Sequence, residues 1–271
     1  MPLAASLLLL LAQEEANSAS RGFDALPLGL YLDPAPEVDQ DPLGKEPPHG
    51  SFSGFWERHA SSDAWKGAVW DQYLTQPAVI LPISLAVAAV VVIPFDHRLE
   101  EQWHGLLGGK QSYSNIAVYT LIGASALTGV LFPGEGRNSW DEGWTIAESF
   151  LVSYATTSVL KASVSRFRPE HGTHSFPSGH SSMAFTGATL MDLNSGPVLG
   201  IPAYGLAAFT AFARVESGRH FPSDVLAGAA IGTLSAGIFD ALHWGGKPGK
   251  GGIALDVQGL HSVALQVDLG F

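Results

Sequence analysis

The sequence predicts an all-α membrane protein: a multi-pass six-helix bundle with a short C-terminal β-hairpin. Three observations carry that prediction. Residues 72–95, 111–134 and 193–213 contain no charged side chain, and each stretch exceeds the roughly 18 apolar residues that mark a transmembrane helix candidate. Three more stretches, about 143–166, 179–193 and 222–244, are patterned as helices. They carry Glu148, Lys161, Asp192, Asp224 and Asp240, which places them inside the bundle or ending at its surface. Finally, charged residues make up only 14% of the 271-residue chain, against roughly 25% in soluble domains.

Four regions follow in order: 1–19, 20–71, 72–244 and 245–271. Residues 1–12 end in five leucines and an alanine, too short for a span. With the small residues from Ala16 to Ala19 they fit a signal or leader segment, although a basic start is missing. From 20 onward the chain is an acidic, proline-rich linker, in which a core cannot form. Up to residue 74 there are 11 acidic and four basic residues, out of a net charge of −11 for the whole chain. That balance excludes nucleic acid as a partner. Cysteine is absent, which excludes disulfides, thiolate metal ligands and a lipoprotein anchor.

Residues 52–74 alternate aromatics with charges. Trp65, Val69 and Tyr73 lie four apart, on one helical face; the pattern fits either a helix in the membrane interface or one packed against the main domain. Trp70, Trp103, Trp140, Trp144 and Trp244 flank hydrophobic segments, as in an aromatic belt. Gly228 and Gly232 form a GxxxG that permits close helix approach. After residue 252 the pattern changes to period two through Val263, Leu265, Val267, Leu269 and Phe271, with Gly259 as a turn, and predicts the hairpin.

Three polar clusters interrupt the apolar C-terminal half: Lys161 to Pro169, Phe176 to His180, and Arg214 to Asp224. Six helices in up-down order bring them to one end of the bundle. Lys161 and Arg168 are seven apart, two helical turns on nearly one face, with Pro169 ending the element. Ser178 is a natural N-cap, and the amides from Gly179 onward suit an anion. Pro222 suits a first helical turn. Asp224, four residues beyond His220, can hold one imidazole nitrogen and leave the other bare toward a substrate. Glu216 and Arg219 fall in the turn before His220, where they could line an entrance. His171 and His174 with His180 give a weaker metal reading. His49, His59, His97, His104, His243 and His261 show no partner pattern.

The spacing K-x6-R-P, then P-S-G-H, then R-x5-H-x3-D resembles the type 2 phosphatidic acid phosphatase superfamily, a group of lipid phosphatases, bacterial acid phosphatases and vanadium-dependent haloperoxidases. The motifs cover 161–224, and the helix pattern extends the likeness to about 72–244. The resemblance implies that Lys161, Arg168 and Arg214, with Ser178 and the Gly179 amide, bind phosphoryl oxygens. His220 would attack phosphorus to form a phosphohistidine, Asp224 would orient it, and His180 would protonate the leaving alkoxide and then activate water. No metal and no cofactor is implied. One position departs: Ala213 stands where the family usually has Ser, a loss of about 1 kcal/mol of phosphate binding.

The expected activity is thus metal-independent hydrolysis of a membrane lipid phosphate or diphosphate. The other readings are a soluble-substrate acid phosphatase, a vanadate-dependent haloperoxidase and a non-catalytic lipid-binding protein. The expected location is a bacterial-type envelope membrane with the site on the extracytoplasmic face. A cleaved leader followed by six spans would instead leave the site cytoplasmic, so leader and span count conflict.

Overall fold

The computed structural model describes residues 50–245, apart from positions 76 and 135, and the backbone of 252–257 and 263–268. The expected leader and proline-rich linker lie outside the described residues. From 52 to 244 every regular element is helical. The elements are α1 (Phe52–Ala60), α2 (Ser62–Trp65), α3 (Ile80–Val92), α4 (Asp96–Trp103), α5 (Gln111–Leu131), α6 (Ser139–Val164), α7 (Gly179–Ser195), α8 (Pro197–Glu216) and α9 (Pro222–Trp244). A π-helical stretch, Lys66–Gln72, continues α2. The six-helix expectation is therefore too low. The aromatic segment before residue 75 folds as helix against the bundle, and a turn at Ile93–Phe95 separates α4 from α3. Beyond the bundle, Gly252–Val257 pairs antiparallel with Val263–Asp268; the turn expected at Gly259 and the strands' side chains lie outside the described residues.

The helix ends follow local chemistry. Asn138 caps α6 by accepting from the Asp141 amide, and Asp141 and Glu142 sit in its first turn, where the helix dipole favours acids. Ser165 adopts a left-handed φ of 47° and stops α6 at Val164, so Lys161 is helical while Arg168 lies in the following loop. The two therefore do not share a helical face. Ser178 caps α7, and Pro222 occupies the first turn of α9, as their residue types dictate.

Packing is inverted relative to a soluble protein. The buried side of α6 is a ladder of Thr145, Ser149, Ser153 and Thr157, four apart and bonded across to α7. The Thr186 hydroxyl donates to Ser153 Oγ at 3.0 Å, and Thr157 donates to Ser182 Oγ at 3.1 Å. Large apolar side chains point outward instead, among them Ile83, Val87 and Val90 on α3, Ile116 and Leu127 on α5, Leu151 and Val159 on α6, and Ile201 on α8. Small polar seams inside and apolar residues outside are what hydrocarbon surroundings require. Four segments are long and apolar enough to cross a membrane: Ile80–Trp103, Gln111–Leu131, Pro197–Glu216 and Pro222–Trp244.

The helix α9 is the hub, packed on α7, α3, α6 and α8. The Gly228–Gly232 pair explains its approach to α7. A Cβ at Gly228 would strike the Ser178 carbonyl, and one at Gly232 the Ser182 carbonyl and the Thr186 amide. The 52–74 segment is tied down by charge as well as by rings. Arg58 is buried and bonds Asp141 at 2.8 Å, and Trp65 stands edge-on to Phe239, 5.8 Å between centroids. Phe52, Trp56 and Trp70 remain exposed on its outer side. Trp244 does not belong to an outer belt: it is buried, 5.2 Å from the Arg137 guanidinium.

Gly232→Ala should cost about 1–3 kcal/mol through overpacking. It should lower the thermal unfolding midpoint of the detergent-solubilised protein, whereas Gly205→Ala, which meets nothing within 4 Å, should not. Equal midpoints for both variants would refute the close α7–α9 contact.

Candidate active site

Four helix ends converge as the up-down order requires: the C-terminal ends of α6 and α8 and the N-terminal ends of α7 and α9. Backbone bonds knit them together. The Ser178 amide donates to the Asp224 carbonyl at 2.9 Å, and the amides of Arg219 and His220 donate to the Arg214 carbonyl at 3.1 and 3.2 Å. Lys161, in the last turn of α6, donates to the carbonyls of His174 and Pro177. It therefore sits over the loop that carries Ser178, Gly179 and His180. A Cβ on Gly179 would lie 3.8 Å from the Lys161 side chain.

His220 is 2% exposed. Its Nδ1–H donates to the Ser175 carbonyl at 2.7 Å, which fixes the tautomer and leaves Nε2 with a lone pair. The expected direct bond to Asp224 is not made, since Nδ1 and Oδ2 are 3.8 Å apart, beyond hydrogen-bond range. Ser175 intervenes: its backbone oxygen takes the imidazole, while its hydroxyl donates to Asp224 Oδ2. Asp224 also accepts from the Phe221 amide at 2.9 Å and from Arg166 at 2.7 Å. Burial pushes the His220 pKa down to about 4; the Asp224 carboxylate opposes this, and the Arg214 and Lys161 cations add to it.

Arg214 is buried, with one nitrogen 3.3 Å from the Ser114 hydroxyl of α5. Its equally buried Nε has no partner among the described residues, as a pocket waiting for an anion would leave it. Arg168 donates from Nε to the Thr173 carbonyl at 3.2 Å, folding its loop back on itself. His180, in the first turn of α7, donates from Nε2 to Asn115 Oδ1 at 2.8 Å. Its pKa is pushed down to about 4 by burial first and then by the positive charges of Arg214, His220, Lys161 and Arg168. One imidazole thus feels all three expected phosphate-binding cations. Ala213 is fully buried beneath them.

Several functional neighbours were not anticipated. Arg166 was spacer in the motif, yet it bridges Asp224, the Ser223 hydroxyl at 2.8 Å and Asp96 at 2.7 Å, and lies 4.4 Å from the Phe221 ring. Asp96 is itself buried and accepts from the Ser223 amide at 2.9 Å. Asn115 and Ser114, at the start of α5, supply partners to His180 and Arg214. The only sequence signal for these residues was polarity at the ends of apolar segments. Glu216 does not line an entrance. It is fully buried and accepts from the amides of Leu107 and Gly109 at 2.8 and 2.7 Å, pinning the α4–α5 loop. His171, His174 and His180 do not form a metal-sized group among the described residues. His97 packs on the Phe221 ring and His104 on Glu100.

The family model described as the PAP2 superfamily matches residues 142–246, which contain all three polar clusters. The chain is 30% identical over 148 residues to a lipid A 1-phosphatase of Porphyromonas gingivalis, covering 53% of this chain and 27% of that one. It is 31% identical over 142 residues to a decaprenylphosphoryl-5-phosphoribose phosphatase of Mycobacterium tuberculosis, covering 47% of this chain and 71% of that protein. It spans only about a quarter of the first relative's length. Among solved structures, a transmembrane PAP2-type phosphatidylglycerolphosphate phosphatase from Bacillus subtilis aligns with a TM-score of 0.42 at 22% identity, covering 61% of this chain and 93% of that one. By the family model and the match to the mycobacterial phosphatase, of which it covers 71%, the chain belongs to the PAP2 superfamily.

Proposed function

We propose that this protein is a phosphoric monoester hydrolase acting on a membrane lipid phosphate, and that His220 is its nucleophile. The carrying observation is the His220 imidazole, whose Nδ1–H is locked on Ser175 so that the bare Nε2 is left within the field of the buried Arg214 and the half-buried Lys161. His220 Nε2 attacks phosphorus and the N–P bond forms as the ester P–O bond breaks. His180, which takes up a proton once the bound phosphate offsets the cations that depress its pKa, gives that proton to the departing alkoxide. Water then attacks phosphorus, passing its proton to His180, and the N–P bond breaks to release phosphate. Lys161, Arg168 and Arg214, with the Ser178 hydroxyl and the Gly179 amide, hold the phosphoryl oxygens, which is the main demand of phosphoryl transfer. Asp224 steadies the imidazolium through space and through Ser175. No step requires a metal.

The lipid reading rests on an apolar groove beside the polar pocket. It has a volume of about 390 Å³ and is lined by Pro82, Ile83, Ala86 and Val90 of α3, Leu160 of α6, Phe176 of the site loop, and Ala227, Ala230, Ile231 and Leu234 of α9. Leu160 adjoins Lys161 and Ala227 lies one turn beyond Asp224, so an acyl chain in the groove would present its headgroup to the cations. The relatives named lipid A 1-phosphatase and decaprenylphosphoryl-5-phosphoribose phosphatase agree with such a substrate. We infer an extracytoplasmic pocket, as the family resemblance implies; a reporter fused after α9, which ends opposite the pocket, should then report the cytoplasm, and an extracytoplasmic signal would contradict it.

Ala86→Trp should fill the groove. Against dioleoyl phosphatidate it should raise KM by about fifteenfold, the ~1.6 kcal/mol of two displaced methylenes, while para-nitrophenyl phosphate is hydrolysed as before. Equal losses on both substrates would mean that the groove is not where the lipid lies.

The lowered pKa of His220 keeps it neutral, and able to attack, down to about pH 4. The acid limb of kcat/KM should therefore fall near pH 4, with rate lost as the pH drops through that value. A limb at the ordinary histidine value of about 6.5 would contradict a buried His220 nucleophile.

A further inference from the structure

A second cluster lies at the opposite end of α9, roughly 30 Å from His220 at 1.5 Å per residue. His59 ends α1, Glu148 projects from α6, and His243 sits in the last turn of α9. Read singly in the sequence, these histidines lack a partner; the fold gives them a shared one. Glu148 Oε1 is 2.8 Å from His59 Nε2, and Glu148 Oε2 is 2.8 Å from His243 Nε2. The three ligand atoms all lie within 4.8 Å of one another. The side chains of His59 and Glu148 are 14% exposed and that of His243 is fully buried.

We propose that His59, Glu148 and His243 bind a divalent transition metal of the zinc class, clamping α1 to the bundle at a site separate from the phosphate pocket. The tautomer of His59 is the first reason. Its Nδ1 is 2.8 Å from the Phe55 carbonyl, so Nδ1 carries the proton. In the neutral ring, Nε2 then turns a lone pair toward a carboxylate oxygen, and among the described residues it has no bond of hydrogen-bonding geometry. A cation between them turns this repulsion into two coordinate bonds. A backbone carbonyl on the far nitrogen is also how metal-bound imidazoles are oriented.

The second reason is the donor set. Two imidazoles and one carboxylate suit zinc and its neighbours, not the all-oxygen shells of calcium or magnesium. Bonds of about 2.0–2.1 Å in a tetrahedron place ligand atoms roughly 3.3 Å apart, so the 2.8 Å contacts need open by only about half an ångström. The partial exposure of His59 and Glu148 leaves room for water as the fourth ligand. The neighbouring Arg58–Asp141 pair already holds α1 in register, so the metal would complete a joint and not create one.

The full-length protein in detergent, stripped with a chelator, should bind one zinc per chain and gain several degrees in unfolding midpoint. Cobalt in its place should give the visible absorption of a tetrahedral ion. His59→Ala and Glu148→Gln should each bind at least tenfold more weakly and lose the thermal gain, while para-nitrophenyl phosphate hydrolysis at low temperature is unchanged. X-ray absorption of zinc on the wild type, which needs no variant, should show two imidazoles and a carboxylate. Wild-type binding no tighter than that of His59→Ala, or a zinc shell lacking imidazole, would overturn the proposal and leave a proton as what bridges His59 to Glu148.

Discussion

The buried carboxylate of Asp224 is the constraint on which the rest of the catalytic end depends. One oxygen takes Arg166, and the other takes the Ser175 hydroxyl and the Phe221 amide. Those three groups belong to the loop after α6, the loop before α7 and the start of α9. Arg166 extends the connection to Asp96 on α4. A buried charge held this way stays ionised because its lone pairs are satisfied and a cation adjoins it. Removing one partner of such a pair typically costs about 3–5 kcal/mol, so the network enforces its own geometry. His220 inherits that geometry at second hand, through the Ser175 carbonyl.

The division of labour between bundle and site follows from the solvent. Hydrocarbon rewards an apolar exterior and penalises unpaired backbone, so helices carry the fold and small residues allow them to approach. Glycines at 228 and 232 bring α9 within backbone contact of α7. The hydroxyls of α6 bond inward, which leaves no polar group of that seam facing outward. Lys161, Arg168 and Arg214 gather at one end, where Arg214 is buried and its Nε is unpartnered among the described residues, as a group that meets a phosphate would be.

Much of this was legible before folding. The three clusters carried their own spacing, and helix order alone put them at one end. Local rules also found Ser178 as a cap and Pro222 as a helix start. What stayed hidden were pairings between segments far apart in sequence. Arg166 looked like spacer because its partners, Asp96 and Asp224, are 70 and 58 residues away. The His220–Asp224 spacing suggested a direct bond, but Pro222 and the turn of α9 hold the pair 3.8 Å apart and admit Ser175 instead. Glu216 read as an entrance-lining charge because the amides it binds lie in a loop more than 100 residues earlier. His59 and His243 lacked a pattern for the same reason: Glu148 joins them only in three dimensions.

The central claim is that His220 Nε2 becomes bonded to phosphorus. Wild-type protein quenched during turnover of radiolabelled phosphatidate should retain label that is stable in alkali and lost in acid, as expected of a phosphohistidine. His220→Ala should retain none, while His180→Ala, which keeps the nucleophile but cannot assist the leaving group or water, should accumulate what little label forms. Label of unchanged amount and acid lability on His220→Ala would contradict the account.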